Sequence, residues 1–269
     1  MSVIKLLDNS LNDKAMLLER MLDDNFYYGY LGKAALSSSS LKLLLDSPRT
    51  YYNVTKYSKD TSTPALFLGR LIHHLALEPQ VVPDLYMLSN VKNRNTNKYK
   101  EEVAANPTMS VVLESEWKMA ERCVDALQRN EAYLQLIQGA EFEQPEVGMI
   151  DGLPFRAKAD ILAHNAVIDL KTTSDLSGFQ YSAKKYGYDV QCYIYCTLFD
   201  KPFNTFKFVS IDKKSCDIGI YDVTEEFYER GKRKTLFAIE TYKEFFPNGI
   251  NAEGVTDKLD QYYIKETLK

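Results

Sequence analysis

Residues 155–173 read FRAKADILAHNAVIDLKTT. Val, Ile and Phe in alternation with polar residues predict two strands, over residues 155–162 and 166–171. The polar residues 163–165 between these strands are typical of a tight turn. The stretch therefore predicts a β-hairpin with charged residues at fixed positions along both strands.

The charges of this hairpin fall in a pattern that is unusual for a solvated surface. Side chains alternate across a strand, so Arg156, Lys158 and Asp160 should share one face of the first strand. On the second strand, Asp169 and Lys171 should point away from the apolar residues that separate them. A lone Asp-x-Lys pair usually belongs to a surface hairpin, but here a second carboxylate lies just across the turn. The pattern indicates two carboxylates and an ammonium gathered at one place.

Two carboxylates and a lysine are suited to metal-assisted cleavage of a phosphodiester. Asp160 and Asp169 supply hard oxygen ligands of the kind that Mg²⁺ prefers, and the carbonyl of Leu170 could supply another. A cation held there would polarise a phosphoryl oxygen and acidify a water molecule. Lys171 would orient that water or stabilise charge in the transition state.

Length, charge and cysteine content limit the classes of protein to which this chain can belong. The chain has 269 residues, enough for one sizeable core or one core with a helical appendage. Its longest apolar runs are too short for a membrane span, and Asp8 interrupts any N-terminal signal pattern, so we expect a cytoplasmic protein without a membrane partner. A net charge of −4 neither favours nor excludes binding to nucleic acid. Four cysteines without a C-x-x-C pair argue against a zinc knuckle or a thioredoxin-like motif.

Upstream of the hairpin, two predicted helices carry further candidates. Residues 37–40 are serines before an apolar run and predict a helix N-cap, although they could also bind a phosphate. A second helix is expected over residues 65–78, with Pro64 in its first turn. Gly69 in that helix indicates close approach of another element. His73 is either a metal or phosphate ligand or a histidine at the edge of the core.

Downstream, the sequence predicts two helices, two strands and a long helix, over residues 174–186, 189–199, 204–211, 217–223 and 224–246. The first of these helices carries Lys184 and Lys185. On the second, Gln191 and Tyr195 are one turn apart in an otherwise apolar stripe. Because glutamine is unusual in such a stripe, we expect it to face the site.

Taken together in this order and spacing, these motifs resemble the RecE-type exonucleases (exodeoxyribonuclease VIII-like) of the PD-(D/E)xK superfamily, over roughly residues 35–245. The one clear departure is Ala159, which stands where the superfamily pattern has proline. The change alters backbone stiffness before Asp160 but not the chemistry. Four blocks carry the resemblance: residues 37–48, residues 68–79, residues 158–160 with 168–173, and residues 190–195.

The resemblance implies an α/β fold, a restriction-endonuclease-like core in which a central mixed β-sheet is flanked by helices, with added N-terminal helical elements. It implies one nuclease domain over residues 1–269, made of an N-terminal helical strap (1–64), a catalytic core (65–246) and a C-terminal tail (247–269). The implied metal-site residues are His73, Glu146, Asp160, Asp169 and the carbonyl of Leu170, with Glu141 and Glu143 as competitors of Glu146. Lys171 would be catalytic, and Gln191 and Tyr195 would support the site and contact DNA. The cations available for the DNA backbone are Arg70, Arg156, Lys158, Lys184 and Lys185.

The function implied by the resemblance is a Mg²⁺-dependent 5′-to-3′ exonuclease acting on linear duplex DNA, with Mn²⁺ as a substitute and no iron–sulfur cluster. Its product would be a 3′ overhang for a RecT-like single-strand annealing partner in phage-type recombination. A ring-shaped homo-oligomer such as a tetramer, in a bacterial or phage-infected cell, is implied as well. Two alternatives stay open: a CRISPR-associated or RecB-like nuclease, whose iron–sulfur branch needs a C-terminal cysteine cluster that is missing here, and an inactive DNA-binding protein on the same fold.

Overall fold

A computed structural model describes residues 2–57 and 63–264. Residues 1, 58–62 and 265–269, which belong to the predicted strap and tail, lie outside the described residues. The strands are β1 (Val3–Lys5), β2 (Leu11–Asp13), β3 (Tyr86–Ser89), β4 (Ser110–Leu113), β5 (Glu141–Ile150), β6 (Leu153–Ala163), β7 (Ala166–Thr173), β8 (Phe206–Asp212) and β9 (Ile218–Asp222). The α-helices are α1 (Lys14–Arg20), α2 (Leu31–Ala34), α3 (Ser38–Asp46), α4 (Pro48–Tyr57), α5 (Pro64–Leu77), α6 (Val82–Leu85), α7 (Asn97–Ala105), α8 (Glu114–Arg129), α9 (Glu131–Leu136), α10 (Phe179–Lys185), α11 (Tyr188–Leu198), α12 (Glu225–Phe245) and α13 (Val255–Asp260).

The centre of the fold is a five-stranded mixed sheet in the order β5-β6-β7-β8-β9. Neighbouring strands are antiparallel except for β7 and β8, which run parallel. A parallel pair needs a crossover connection, and α10 and α11 provide it. The predicted hairpin is the β6–β7 pair, in which Ile161 lies opposite Ile168. It therefore occupies the middle of the sheet, and the predicted mixed sheet is confirmed.

Helices cover both faces of this sheet, as predicted. On one face, α3, α11 and α12 enclose a core that includes Phe155, Val167 and Phe208. On the other face, α5 and α8 pack over Ile168 and Val209. The alternation along β7 explains this arrangement, because its odd and even positions point into different cores. No helix in the described part of the chain is both long enough and apolar enough to cross a membrane.

Local sequence signals set the helix starts that matter for the site. Ser37 caps α3 and forms a reciprocal pair with Ser40, so the serine run is confirmed as a cap. Thr63 caps α5, with Pro64 in its first turn. The predicted helix after Ser174 begins only at α10, because the Asp175 carboxylate accepts hydrogen bonds from the residues that follow it and holds a turn there.

The N-terminal region is more than a surface strap. Residues Asn25–Tyr30 form a π-helical turn that packs with α1 and with Val147 of β5. Helices α3 and α4 place Leu41, Leu44 and Tyr51 in the same core as α11 and α12. These helices contribute to the main core, although they fall within residues 1–64.

Helix α12 fixes the position of α11 through a close contact and a buried ion cluster. The Asp189 side chain is fully buried, and its Oδ2 lies 2.6 Å from Arg230 Nε and 2.7 Å from Lys234 Nζ. Between these cations, Gly231 brings the α12 backbone against the Asp189 carbonyl. Because α11 carries Gln191 and Tyr195, this contact also sets where their side chains reach.

We expect Gly231→Ala to be strongly destabilising. A Cβ atom there would lie 1.9 Å from the Asp189 carbonyl oxygen, and backbone cannot rotate away as a side chain can. The helices must separate, and overpacking of this kind costs about 1–3 kcal/mol or more. The free energy of unfolding in urea measures the effect. Gly29→Ala is the control, because nothing lies within 4 Å of its added Cβ. Equal stability of the two variants would contradict the proposed close contact.

Candidate metal centre

Three ligand-bearing side chains meet where β5, β6 and α5 come together. His73 Nε2 lies 3.2 Å from Asp160 Oδ2 and 3.5 Å from Glu143 Oε1. One ligand atom from each of these residues falls within 4.8 Å of the other two. The structure thus brings together two predicted site residues, His73 and Asp160, with a glutamate that the sequence left as an alternative.

Each of these side chains is delivered by a distinct structural feature. Asp160 lies at the point where β6 ends its pairing with β7, and its Oδ2 accepts a hydrogen bond of 2.7 Å from the backbone N–H of Leu170. Gly69 allows α5 to approach β7 closely, since a Cβ there would lie 2.9 Å from Thr172 Oγ1. This approach carries His73 over the sheet and confirms the predicted reason for the glycine.

Glu143 has the backbone conformation of a strained position. Its φ is 52°, in the left-handed region that non-glycine residues rarely adopt, although it lies within β5. In the β5–β6 register Phe142 pairs with Ile161 and Gln144 with Ala159, so Glu143 lies opposite Asp160. Strain of this kind persists where the surroundings enforce it and clusters at functional sites. Here it accompanies a carboxylate that points into the cluster.

The cluster is electrostatically crowded. Burial raises the pKa of Glu143 to about 8; the positive charge of His73 opposes this shift, and the smaller effect of the Asp160 charge adds to it. Burial alone would lower the pKa of His73, but the charges of Asp160 and Glu143 outweigh it and raise that pKa to about 9. Burial opposes ionisation of Asp160, yet His73 and Lys171 hold its pKa below the usual range. The positive charge of His73 thus lies within 3.5 Å of both carboxyl groups.

The donor set fits a divalent cation. Glu143 Oε1 is buried and has no hydrogen-bond partner among the described residues, which is costly unless something else binds it. Two carboxylates supply the hard oxygens preferred by Mg²⁺ and Mn²⁺, and an imidazole nitrogen is also a common ligand for transition metals. A bound cation would take the place of the His73 proton as partner of the carboxylates.

Asp169 and Lys171 form a second group beside this cluster. Lys171 Nζ lies 2.5 Å from Asp169 Oδ2, and Asp169 Oδ1 accepts a hydrogen bond from Gln191. Burial raises the pKa of Asp169 to about 6, opposed by the Lys171 charge. Burial lowers the pKa of Lys171, but Asp169 and Asp160 outweigh this and raise it, so the ammonium is retained at neutral pH. Gln191 engages Asp169 Oδ1, whereas the buried Oδ2 has the Lys171 ion pair but no hydrogen-bond partner among the described residues, and the role of Asp169 as a direct metal ligand stays a prediction.

Gln191 and Tyr195 support the site from the core side of the sheet. Both side chains are buried, and neither is among the residues that line the groove described below. Gln191 holds Asp169, while the Tyr195 hydroxyl donates a hydrogen bond of 3.0 Å to the carbonyl of Lys158. Helix α11 packs on the face of the sheet opposite to α5. The polar ends of the Gln191 and Tyr195 side chains therefore reach the strands from the face that α5 does not cover. The expected contact with DNA is therefore corrected to a positioning role.

The expected position of Glu146 is also corrected. Its Oε1 lies 2.8 Å from Lys14 Nζ of α1, away from His73 and Asp160. Glu143 and Glu146 are an odd number of residues apart on one strand, so their side chains leave opposite faces. The pairing of β5 with β6 sets which of these glutamates faces Asp160, and the sequence alone does not show that register.

The cations predicted to bind DNA fall into two groups. Arg156 and Lys158 are each only 9% exposed, but Lys158 lines the groove at the cluster and Arg156 does not, so the predicted contact of Lys158 with DNA stays a prediction. Arg156 Cζ lies 4.2 Å from the ring centre of Tyr27, and Lys158 Nζ lies 2.6 Å from Asp24 Oδ1. They attach the N-terminal aromatic turn to β6. The other three predicted cations are exposed: Arg70, Lys184 and Lys185.

The cluster opens into a broad groove of about 1400 Å³. His73, Glu143 and Lys171 line it, as do Arg70 and Leu170. Sequence reasoning missed Lys42 of α3, which lies near Lys171 and Tyr188. Burial and the Lys171 charge lower the pKa of Lys42 to about 8. Its place in an apolar helical run gave no signal of this proximity.

The two competing glutamates are expected to respond differently to substitution. Glu143→Gln removes a carboxylate that a cation would bind in its ionised form, so the Mg²⁺ or Mn²⁺ concentration needed for half-maximal metal binding should rise at least about 10-fold, the lower limit seen for changes around metal ligands. Isothermal titration of the metal measures it. Glu146→Gln is the matched control and should leave metal binding within about twofold, because that carboxylate faces Lys14. A larger loss of metal affinity in Glu146→Gln than in Glu143→Gln would show that Glu146, and not Glu143, belongs to the metal site.

The chain resembles known proteins in both sequence and fold. Residues 37–251 match a family model described as a PDDEXK-like domain of unknown function (DUF3799). The fold is similar to the crystal structure of a protein named “Putative exonuclease” from Eubacterium rectale, with 14% identity, a TM-score of 0.62, and coverage of 92% of this chain and 95% of that chain. A phage related exonuclease from Haemophilus somnus 129PT has 17% identity and a TM-score of 0.33 over 81% of this chain and 97% of that chain. No curated protein matches the sequence.

Proposed function

Because the chain belongs to the PDDEXK-like family DUF3799, and with it to the PD-(D/E)xK nucleases, we propose that it is a divalent-metal-dependent exonuclease acting on linear duplex DNA. The observation that carries the proposal is the group formed by His73, Glu143 and Asp160 beside the ion pair of Asp169 and Lys171. These residues combine a metal-binding donor set with an ammonium that keeps its charge. A groove of about 1400 Å³ gives a large substrate access to them.

His73, Glu143 and Asp160 would hold Mg²⁺, with Mn²⁺ as a substitute and Asp169 or the Leu170 carbonyl as further ligands. The cation, when bound, polarises the phosphoryl group and lowers the pKa of water. Lys171 contributes a fixed positive charge where negative charge develops on the phosphate in the transition state. Gln191 holds Asp169 in place, and the Tyr195 hydroxyl holds the β6 backbone next to Asp160. The described residues around Asp160 thus provide charge stabilisation and positioning.

The finer features of the proposal come from the sequence motifs and from the single metal-ligating cluster among the described residues. One such centre cuts one strand at a time. We propose removal of the 5′ strand, leaving a 3′ overhang for a RecT-like annealing partner. A mildly acidic chain with a net charge of −4 has little long-range attraction for DNA. A ring-shaped homo-oligomer would keep such a protein on its substrate by enclosure.

Digestion of end-labelled DNA tests this proposal. A 5′-labelled linear duplex in Mg²⁺ should release its label early, whereas a 3′ label on the opposite strand should persist in long single strands. Covalently closed circles should survive, and chelation of the metal should stop the reaction. Cleavage of closed circles at a comparable rate would make the protein an endonuclease. Intact DNA in both Mg²⁺ and Mn²⁺ would overturn the proposed nuclease function.

A further inference from the structure

Tyrosines and lysines follow one another outward from Lys171, at the start of α11 and along α10. We call this group the tyrosine platform, and we propose that it binds single-stranded DNA next to the cleavage site. The inference rests on the proposed nuclease function, because that function supplies the DNA end. The platform consists of Tyr181, Lys184, Lys185, Tyr186 and Tyr188.

The inner part of the platform is joined directly to the candidate site. Lys171 Nζ lies 4.9 Å from the ring centre of Tyr188. The Tyr188 and Tyr186 rings are 6.1 Å apart with an interplanar angle of 33°. Tyr188 is supported from below by Phe208, on which it stacks at 5.4 Å. Tyr186 and Tyr188 both line the groove that contains His73, so a strand lying in the groove would meet them.

The outer part of the platform combines exposed rings with exposed cations. Tyr181 is 81% exposed and Tyr186 is 51% exposed, although large aromatic side chains are usually covered. Tyr181 and Lys185 are one helical turn apart on α10, so they share a face with Lys184. Lys185 Nζ lies 5.4 Å from the ring centre of Tyr186. Exposed rings next to exposed cations extend the site toward solvent.

These features match a single strand rather than a duplex. Bases inside a duplex stack on each other and offer no free face to a tyrosine ring. A single strand exposes its base faces, and proteins that bind single strands combine aromatic stacking with a cationic path for the backbone. Tyr186 supplies an exposed ring surface beside Tyr188, while Lys184 and Lys185 supply the cations. The occupant is therefore the unpaired strand adjoining the scissile phosphate.

Binding of labelled oligothymidylate, measured by fluorescence anisotropy in EDTA, tests the platform without cleavage. Tyr186→Ala should weaken binding roughly 5- to 150-fold, the range for loss of one stacked base. Tyr186→Phe should keep the affinity, because stacking needs the ring and not the hydroxyl. Loss of Lys184 and Lys185 together should reduce the slope of log affinity against log salt by about 1.4, since each phosphate contact contributes about 0.7.

Tyr57→Ala is the matched control. Tyr57 is 65% exposed and has Lys56 Nζ 5.8 Å from its ring centre, but it does not line the groove. Equal affinity of the Tyr186→Ala and Tyr57→Ala variants for oligothymidylate would overturn the platform. So would an equal loss of affinity of Tyr186→Ala for blunt duplex DNA, or tighter binding of single-stranded RNA than of single-stranded DNA. Cleavage of linear duplex in Mg²⁺ is scored separately. If the protein does not cleave duplex DNA but the variants show the expected changes in affinity for the oligonucleotide, the proposed function fails and binding of a single strand by the platform is kept. If the protein cleaves duplex DNA but the platform variants bind the oligonucleotide as tightly as the unsubstituted protein, only the platform fails.

Discussion

Asp160→Asn should abolish metal-dependent cleavage while the fold is kept. The substitution removes one of two carboxylate charges from the His73 cluster, so the site loses both a ligand and much of its attraction for a cation. The loss of rate should exceed the roughly 10²- to 10³-fold that removal of one charge-stabilising group costs. Single-turnover digestion of a linear duplex at saturating Mg²⁺ measures it.

Asparagine is the informative replacement at this position. Its side-chain oxygen can still accept the hydrogen bond that Leu170 N–H donates to Asp160 Oδ2, so the junction of β6 and β7 should survive. Asp151→Asn is the control, since that residue lies in the β5–β6 turn and pairs with Lys243. A folded Asp160→Asn protein that cleaves at the rate of the Asp151→Asn protein would remove Asp160 from the metal centre.

The central hairpin could be predicted because its signals are local. Strand alternation placed Asp169 and Lys171 on one face of β7 and Ile168 on the other, and the buried clusters show that arrangement. Cap residues fixed the starts of α3 and α5, and Gly69 indicated the close helix that brings His73 to the sheet. Period and capping are properties of a few neighbouring residues, so they can be read without the rest of the chain.

The choice between Glu143 and Glu146 depended on contacts that are distant in sequence. The Glu146 carboxylate forms an ion pair with Lys14, which lies more than a hundred residues away in the chain. The burial of Arg156 under Tyr27 has the same origin. A charged strand residue looks solvent-facing until the segment that covers it is known. Pairing across tertiary contacts, rather than local propensity, decided both outcomes.

The supporting role of α11 shows how the site is held by the core. Gln191 stood out as a polar residue in an apolar stripe, and the structure explains it as the partner of buried Asp169. Helix α12 in turn fixes α11 through Asp189 and the close approach at Gly231. Buried polar groups of this kind are costly unless satisfied, so their partners are set with little freedom. The position of Asp169 therefore depends on the packing of α12 against α11, although in the described part of the chain no hydrogen bond or ion pair joins α12 to Asp169 directly.

Lys171→Ala should slow cleavage by about 10²- to 10³-fold with little effect on metal binding. The ammonium lies 2.5 Å from Asp169 Oδ2, and its retained charge can act on the phosphate only from this position. Single-turnover rates at saturating Mg²⁺ give the loss, and titration of the metal shows whether binding is kept. Lys171→Arg should not restore the rate, because a planar fork does not replace a compact ammonium.

Lys207→Ala separates the catalytic effect from loss of an ion pair in the sheet. Lys207 lies on β8, the strand that neighbours β7, and its ammonium pairs with Asp222 just as Lys171 pairs with Asp169. Its removal should leave cleavage within about twofold, because an exposed pair contributes little. If Lys171→Arg cleaves at the wild-type rate, any cation at this position suffices. In that case the close geometry between Lys171 and Asp169 does not explain the chemistry.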